Sequence, residues 1–137
     1  MFKNVFLLCS IMLTVISCMT PEKVLKDSSA DRLYFGKFGG FTNIPTAYVL
    51  IDESRIFKID ENSFTAVRKL KKAEIKEIQE LINDIHLDTL QLNEPGNMTY
   101  YLRLTKTGAE NEIKWTDNSK NESVKKIYTT LMSYLKK

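Results

Sequence analysis

The stretch Thr99–Thr105, which reads Thr-Tyr-Tyr-Leu-Arg-Leu-Thr, decides the fold because its side chains alternate in character. Successive side chains of a β-strand point to opposite faces of a sheet. One face of the predicted strand therefore carries Tyr100, Leu102 and Leu104, and the other carries Tyr101 and Arg103. This alternation is typical of a strand with one face on a hydrophobic core, so the sequence predicts a sheet with a buried face.

The residues after this strand predict a β-hairpin. The segment Lys106–Glu110 contains Gly108 and is predicted to form the loop. The segment Glu112–Thr116 returns as a second strand, with Ile113 and Trp115 on one face. Because hairpins pair their strands in opposite directions, the sheet is expected to be antiparallel.

Further strands are predicted in the first half of the chain. The segments Leu33–Phe35, Thr46–Ile51 and Arg55–Ile59 are rich in β-branched and aromatic residues, which favour strands. The last two segments are joined by Asp52–Ser54, which predicts a tight turn. The segment Ser63–Leu70 is a further candidate for strand pairing.

Two amphipathic helices are also predicted. The segment Lys72–Ile85 carries isoleucines at helical spacing, at positions Ile75, Ile78, Ile82 and Ile85. Its start is weakly signalled, because no Ser, Thr, Asp or Asn stands just before Lys72. The last helix is predicted to begin with a capping box formed by Ser119 and Glu122. Its apolar stripe consists of Val124, Ile127, Tyr128, Leu131 and Leu135.

Together these elements predict an α+β fold. We expect an antiparallel sheet of four to five strands, with the two amphipathic helices packed on one face. Residues 32–137 would form this single domain, a length that is sufficient for one hydrophobic core.

The N-terminus has the features of a secretory signal followed by a lipid-attachment site. Lys3 supplies a positive charge, and the apolar run Val5–Ile16 is shorter than the roughly 20 residues that cross a bilayer. The run Val15-Ile16-Ser17-Cys18 resembles the lipobox of bacterial lipoproteins. The resemblance implies cleavage before Cys18 and acylation of its sulfur, for example with palmitate. The alternative is an ordinary secretory leader in which the cysteine is fortuitous.

This interpretation divides the chain into a signal peptide (1–17), the lipidated Cys18 with a flexible tether (18–31), and the domain (32–137). Cys18 is the only cysteine after residue 17, so no intramolecular disulfide is possible in the mature chain. The bacterial modification carries three acyl chains, and two or more chains anchor a protein stably. Met19 rather than aspartate follows Cys18, which favours the outer membrane or surface over the inner membrane.

Charge and motif content exclude several classes of function. Lys3 is the only charged residue before Cys18, so the formal net charge of +3 becomes +2 in the mature chain, and no nucleic-acid partner is expected. The glycines lack the context of a phosphate-binding loop. One histidine without a free thiol cannot build a zinc site. We therefore expect no catalytic residue, no metal and no cofactor.

The single histidine, His86, ends the first predicted helix beside Asp84 and Asp88. A histidine and a carboxylate could serve as a general base or as metal ligands. A histidine at a helix C-terminus also interacts favourably with the helix dipole, and we favour this capping interpretation.

Four aromatic residues, Phe38, Phe41, Tyr101 and Trp115, could form a recognition patch, because tyrosine and tryptophan are enriched at interface hot spots. Core packing is the competing interpretation, and we favour it for Phe41 and Trp115. Tyr101, which the alternation places on the face opposite Tyr100, is the better candidate for exposure.

The order of these elements is similar to that of the emfourin family, small bacterial inhibitors of thermolysin-like metalloproteases. The similarity spans residues 33–135. It rests on Gly39-Gly40-Phe41 after a strand, on the loop Pro95-Gly96-Asn97, on the strand Tyr100–Leu104 and on the final helix. The resemblance implies a metalloprotease as the partner.

The preferred hypothesis is a lipid-anchored lipoprotein of the bacterial cell envelope with a non-catalytic protein-binding domain of the protease-inhibitor type. Its loops Gly36–Pro45 and Leu92–Met98 would contact the partner. The candidate partner-binding residues are Phe38, Gly39, Gly40, Phe41, Asn97 and Tyr101. One alternative is an accessory structural or assembly lipoprotein of an envelope complex. Another is a small hydrolase whose site would gather His86 with two carboxylates.

Overall fold

A computed structural model describes residues 30–136, which form six strands and two helices. The strands are β1 (Arg32–Gly39), β2 (Thr46–Ile51), β3 (Arg55–Asp60), β4 (Ser63–Lys69), β5 (Met98–Lys106) and β6 (Ala109–Trp115). The helices are α1 (Lys72–Asp84) and α2 (Glu122–Tyr134). The predicted α+β class and antiparallel sheet are confirmed. The expected four to five strands are wrong, because β4 is a full strand and the sheet has six. The predicted signal peptide, Cys18 and residues 18–29 of the predicted tether lie outside the described residues.

Strand β1 lies inside the sheet, whose spatial order is β4-β3-β2-β1-β5-β6. The first four strands form an antiparallel meander, because each is joined to the next by a short connection. The chain then passes through α1, and β5 pairs antiparallel with β1 from Arg32 opposite Thr105 to Gly39 opposite Met98. This register joins the meander to the β5–β6 hairpin.

The predicted alternation divides the sheet into two faces. Leu33 and Phe35 on β1 face the helices, together with Leu102 on β5. The same core contains Ile78 of α1 and three residues of α2 that are 0 % exposed, namely Val124, Ile127 and Leu131. Both helices therefore pack on this one face, as predicted.

The opposite face of the sheet, which we call the second face, holds a smaller apolar cluster. Val49, Ile51 and Phe57 are buried there, and Ala30, Tyr34 and Ile59 pack against them. Towards β5 and β6 the second face becomes polar. The guanidinium of Arg103 lies 4.2 Å from the centre of the Tyr34 ring, so a cation–π contact marks the boundary.

Helix α1 is capped at both ends by residues that are uncommon in these positions, Lys71 at its start and His86 after its end. At its start the Lys71 N–H donates to the Glu74 carboxylate (2.9 Å), which satisfies one of the free backbone donors. At its end His86 adopts a left-handed conformation with φ +51°, and the Leu87 N–H donates to the Ile82 carbonyl (3.2 Å). This 6→1 bond is the signature of a Schellman motif, in which glycine is the usual left-handed residue.

Helix α2 is capped by a residue other than the predicted one. The Asn121 side chain accepts a hydrogen bond from the Val124 N–H (3.1 Å), so the capping box expected from Ser119 and Glu122 is wrong. The buried hydroxyl oxygen of Ser119 instead accepts from the Asn121 N–H (3.4 Å). Ser119 thus supports the residue that caps the helix.

One polar network joins β4 to both helices. Arg68 of β4 donates to the Glu74 carboxylate of α1 (2.8 Å) and to the Tyr134 carbonyl of α2 (2.8 Å). The Tyr134 hydroxyl donates to Glu77 (2.6 Å), and its ring is buried, although the predicted stripe of α2 omits it. Because Arg68 and Glu74 are largely shielded from water, loss of either partner would leave the other charge shielded and unpaired, which is destabilising. Neither helix in residues 30–136 is long and apolar enough to span a membrane.

We predict that His86→Gly stabilises the domain. The imidazole is exposed and its backbone is left-handed, a conformation that costs a residue with a Cβ atom about 1 kcal/mol or more. The free energy of unfolding should therefore rise by about 1 kcal/mol, measured by urea denaturation. His86→Ala is the matched control, because it removes the imidazole but keeps the Cβ atom. Equal stability of the two variants would contradict the assignment.

Candidate functional site

The structure brings the predicted partner-binding residues to one end of the sheet. Phe38, Gly39, Gly40 and Phe41 lie at the end of β1 and in the loop that follows it. Asn97 directly precedes β5, which pairs with β1, and Tyr101 lies on that strand. The Phe38 and Tyr101 rings share the second face, with centroids 6.2 Å apart. We call Phe38, Phe41, Ile44 and Tyr101 the aromatic surface.

The two glycines hold the β1–β2 loop against the start of β5. Gly39 and Gly40 have φ values of +87° and +76°, a conformation that glycine adopts without steric strain. The Gly40 N–H donates to the Asn97 carbonyl (2.7 Å), so Asn97 contributes through its main chain. A Cβ atom on Gly39 would lie 2.1 Å from that same carbonyl oxygen. Only glycine permits this close approach.

Phe41 lies at the corner of a turn. The Asn43 N–H donates to the Gly40 carbonyl (3.3 Å), and Asn43 is itself left-handed with φ +47°. Phe41, the first residue after Gly40 in this turn, is fully exposed at 105 %. The expectation that Phe41 packs in the core is therefore wrong, because β1 ends at Gly39. Trp115, for which the same expectation was made, is buried, and the prediction is confirmed.

Ile44 extends the aromatic surface and was missed by the sequence analysis. It is 70 % exposed and stands directly before Pro45. A residue before proline is biased towards an extended conformation, and Ile44 lies in the connection between β1 and β2. The sequence did contain a signal for this exposure, because Ile44 is an aliphatic residue between a glycine-rich turn and a proline, where a loop is expected.

Thr99 fixes the loop on the other side of the site and was also missed. Its hydroxyl oxygen accepts a hydrogen bond from the Gly96 N–H (3.0 Å), and its O–H donates one to the Gly96 carbonyl (3.0 Å). Thr99 is 0 % exposed, so these bonds are shielded from water. The loop that presents the Asn97 carbonyl is thereby held in one conformation.

Tyr101 is less accessible than expected. Register places it opposite Gly36 on the second face, as the alternation predicted, but its side chain is only partly exposed. Burial raises the pKa of its phenol above the ordinary value. Two smaller effects act in opposite directions, since Arg103 lowers this pKa and Glu112 raises it. Tyr101 therefore supports the Phe38 ring more than it projects into solvent.

The chemistry of the aromatic surface is apolar. Residues 38–51 contain no charged side chain. Phe38, Phe41 and Ile44 are three of the five large hydrophobic residues that are exposed in the described part of the chain. Groups of this kind bury area against another surface, but they cannot transfer protons or ligate a metal.

A second aromatic group, Tyr100, Trp115 and Tyr128, belongs to the core. Tyr100 stacks on Trp115 with ring centroids 6.0 Å apart, and Tyr128 meets both rings edge-on. Burial raises the pKa of Tyr128 to about 12. These rings contact one another directly, so they stabilise the packing of α2 on the sheet.

The surroundings of the single histidine do not match the arrangement that the hydrolase hypothesis requires. His86 is exposed and lines a groove of about 310 Å³ with Asn83, Asp88 and Lys106. The hydrolase hypothesis required two carboxylates, and Asp88 is the only one in this groove. Among residues 30–136, no group of three His, Cys, Asp or Glu side chains could hold a metal ion.

A larger cleft of about 340 Å³ lies between α1 and the end of the sheet opposite the aromatic surface. Leu33, Leu50 and Leu104 line its floor, and Gln79 donates a hydrogen bond to Glu53 at its rim. The described residues that line this cleft include no histidine or cysteine. The cleft could therefore accommodate a small molecule, but its described lining does not include a histidine or cysteine that could act as a nucleophile.

Comparison with protein-family models and with curated proteins found no match to this chain. The resemblance to emfourins stays a prediction from the sequence, and the geometry of the site carries the functional argument.

We predict that Gly39→Ala destabilises the domain more than Gly108→Ala does. Both glycines have positive φ, +87° and +79°, so both variants incur the left-handed penalty of about 1 kcal/mol. Only at Gly39 does the new methyl group meet a backbone oxygen, whereas nothing lies within 4 Å at Gly108. The loss at Gly39 should exceed about 2 kcal/mol in urea denaturation. Equal losses at the two positions would contradict the close approach to Asn97.

Proposed function

We propose that this protein is a lipid-anchored lipoprotein of the bacterial cell envelope whose domain binds a protein partner through the aromatic surface, without catalysis. The observation that carries the proposal is the full exposure of Phe41 at the corner of a turn whose first residue, Gly40, is hydrogen-bonded to the Asn97 carbonyl. A phenylalanine in this position contributes nothing to the core.

The energetics favour association through this surface. Burying one large apolar side chain contributes about 1.5–3 kcal/mol, and a few such residues dominate most interfaces. The turn is fixed by the Gly40–Asn97 hydrogen bond, and the neighbouring loop is fixed by Thr99. Little conformational entropy is then lost when the partner binds, so more of the burial energy appears as affinity.

The chemistry of the partner follows from the chemistry of the surface. Because residues 38–51 carry no charge, electrostatic steering contributes little to the encounter. We expect the partner to offer an apolar pocket that accepts the Phe41 ring. Binding should then depend only weakly on ionic strength.

The position of the aromatic surface suits an anchored domain. The Asp52 N–H donates to the Asp31 carbonyl (3.0 Å), so β1 begins at the end of the sheet that carries the β2–β3 turn. Phe38, the first residue of the aromatic surface along the chain, lies six residues after Arg32 on the same strand, roughly 20 Å away. Attachment at Cys18 would therefore hold the domain from the end opposite its binding surface.

The resemblance to emfourins supports a narrower version of the proposal, in which the partner is a thermolysin-like metalloprotease. Steady-state assays of such a protease with added full-length protein in detergent test this version. Inhibition that Phe41→Ala removes would support it. No inhibition at micromolar concentration would exclude the inhibitor version and leave protein binding as the broader proposal.

We predict that Cys18→Ala releases the protein from membranes. Without the sulfur no acyl chain can be attached, and the described residues offer no membrane-spanning helix. Labelling with a palmitate analogue should be lost, and the protein should move from the membrane to the soluble fraction. Ser17→Ala is the matched control, since it keeps a small residue before the cysteine. Unchanged membrane association of Cys18→Ala would contradict the anchor.

We predict that Phe41→Ala weakens partner binding and leaves folding intact. The side chain is fully exposed, so the free energy of unfolding should change by less than about 0.5 kcal/mol. The partner is identified by co-purification from detergent-solubilised membranes, and its affinity is then measured with purified components. A loss of at least about tenfold is expected, which corresponds to about 1.4 kcal/mol.

Thr42→Ala is the control for this variant, because Thr42 is an exposed residue of the same turn. It should bind like the unmodified protein. Unchanged affinity of Phe41→Ala would contradict the proposal. Loss of binding to lipid vesicles instead of to a protein would assign the aromatic surface to the membrane.

A further inference from the structure

A row of basic residues crosses the second face of the sheet at one end. Register sets Arg32 and Arg55 opposite Ile51, on its two sides. Lys69 lies opposite Arg55. Directly paired residues share a face of a sheet, and Ile51 belongs to the second-face cluster. The row therefore lies on the second face, at the end that carries the β2–β3 turn.

Two further lysines continue this group of positive charges. The Leu70 N–H donates to the Ser54 carbonyl (2.7 Å), which holds the end of β4 against the β2–β3 turn. Lys71 and Lys72 follow directly, and both are exposed. With the two exposed residues of the row they form a surface that we call the basic corner, which consists of Arg55, Lys69, Lys71 and Lys72. Within residues 30–136, no salt bridge involves a member of the basic corner.

Acidic side chains offset the basic corner only in part. In the described strands β1–β4 the one acidic residue is Asp60, and the alternation places it on the face of the helices. Asp31, Asp52 and Glu53 lie at the same end as the basic corner. Glu53 is directed towards α1, because its carboxylate accepts a hydrogen bond from Gln79. The basic corner outnumbers these three carboxylates, so this end of the second face has an excess of positive charge.

The β-bulge of β4 adds an apolar groove to the basic corner. Val67 is the extra residue of the bulge, and its side chain is 39 % exposed. Together with Phe57 and Ala66 it lines a groove of about 300 Å³, to which Arg55 and Lys69 also contribute. Exposed apolar groups beside lysine and arginine are typical of surfaces that lie in the headgroup region of a membrane.

The chain enters the domain at this same end. Ala30 packs against the second-face cluster, and the Asp31 carbonyl accepts from the Asp52 N–H of the β2–β3 turn (3.0 Å). Only the residues Met19–Ala30 separate the domain from Cys18. Even a fully extended chain of this length reaches at most about 40 Å. A lipid on Cys18 would therefore keep the end that carries the basic corner close to the membrane.

We propose that the basic corner binds the anionic phospholipid headgroups of the membrane in which Cys18 is anchored. This inference rests on the proposed function, because the lipid anchor supplies the proximity. Each lysine or arginine close to an anionic membrane adds to the electrostatic attraction. A short tether raises the effective concentration of the second contact to the millimolar range, so an attraction too weak to bind a free domain is sufficient here.

Contact through the basic corner orients the domain on the membrane. Phe38 lies roughly 20 Å from Arg32 along β1, at the opposite end of the sheet. The aromatic surface is then directed away from the lipid and stays accessible to a protein partner. The two surfaces therefore have separate roles, one in orientation and one in binding.

Lysine footprinting tests the contact on the intact protein. The full-length protein, purified from membranes in detergent, is added to preformed vesicles of phosphatidylcholine, either alone or mixed with phosphatidylglycerol. After removal of the detergent, a water-soluble reagent acylates the exposed lysines, and mass spectrometry quantifies each site. Labelling of Lys69 should be slower by about fivefold or more on the vesicles that contain phosphatidylglycerol. High salt should restore it. Lys120, an exposed residue that follows β6 at the opposite end, should be labelled equally on both.

Variants of Arg55 assign this protection to the basic corner. Arg55→Glu reverses a charge beside Lys69 and should remove the protection, whereas Arg55→Lys should retain it. Lys120→Glu is the matched control, since it introduces the same new carboxylate at the opposite end, and it should also retain the protection. Protection that persists in Arg55→Glu would overturn the proposal.

Sedimentation with the vesicles separates this proposal from the anchor. Equal labelling of Lys69 on both kinds of vesicle, by a protein that sediments with both, would overturn the binding of headgroups and leave the anchor intact. A protein that sediments with neither kind of vesicle would contradict the anchor itself, and this inference with it.

Discussion

The rest of the structure depends on the antiparallel pairing of β1 with β5. Within residues 30–136 it is the only strand pairing between the β1–β4 meander and the β5–β6 hairpin, and the two strands are far apart in sequence. Pairing the two strands closes the long chain segment between them, which costs conformational entropy. Burial of the Leu33, Phe35 and Leu102 side chains, which the register places together beneath the helices, offsets this cost. The same register sets Gly39 beside Met98, so the fold and the aromatic surface form together.

Local patterns predicted most of the elements. The alternation in Thr99–Thr105 and the isoleucine spacing of α1 are set by neighbours within a few residues, and both are confirmed. The strand count and the α2 cap were not predicted correctly. Strand β4 lacks a buried face, and its place in the sheet follows from pairing with β3 rather than from its own pattern. Asn121 and Ser119 are both suitable N-cap residues two positions apart, so the sequence pattern does not decide which of them caps the helix.

The structure brings the predicted partner-binding residues to one end of the sheet, but the sequence did not predict the form of that surface. The alternation did place Tyr101 on the face away from the helices. The exposure of Phe41 could not be deduced locally, because the turn depends on a hydrogen bond from Gly40 to the distant Asn97 carbonyl. Thr99 was missed for the same reason, since its role depends on the loop that it closes.

Exposure without a folding role is the strongest argument for a function at Phe41. A large apolar residue in water gains nothing for the folded state and increases the tendency to associate non-specifically. Here the neighbouring backbone is nevertheless constrained, because the Gly40 N–H is bonded to the Asn97 carbonyl and the buried Thr99 hydroxyl is bonded to Gly96. Such constraints serve folding only weakly at a loop tip. They do fix the backbone from which the Phe41 side chain projects, which is a property that favours a binding surface.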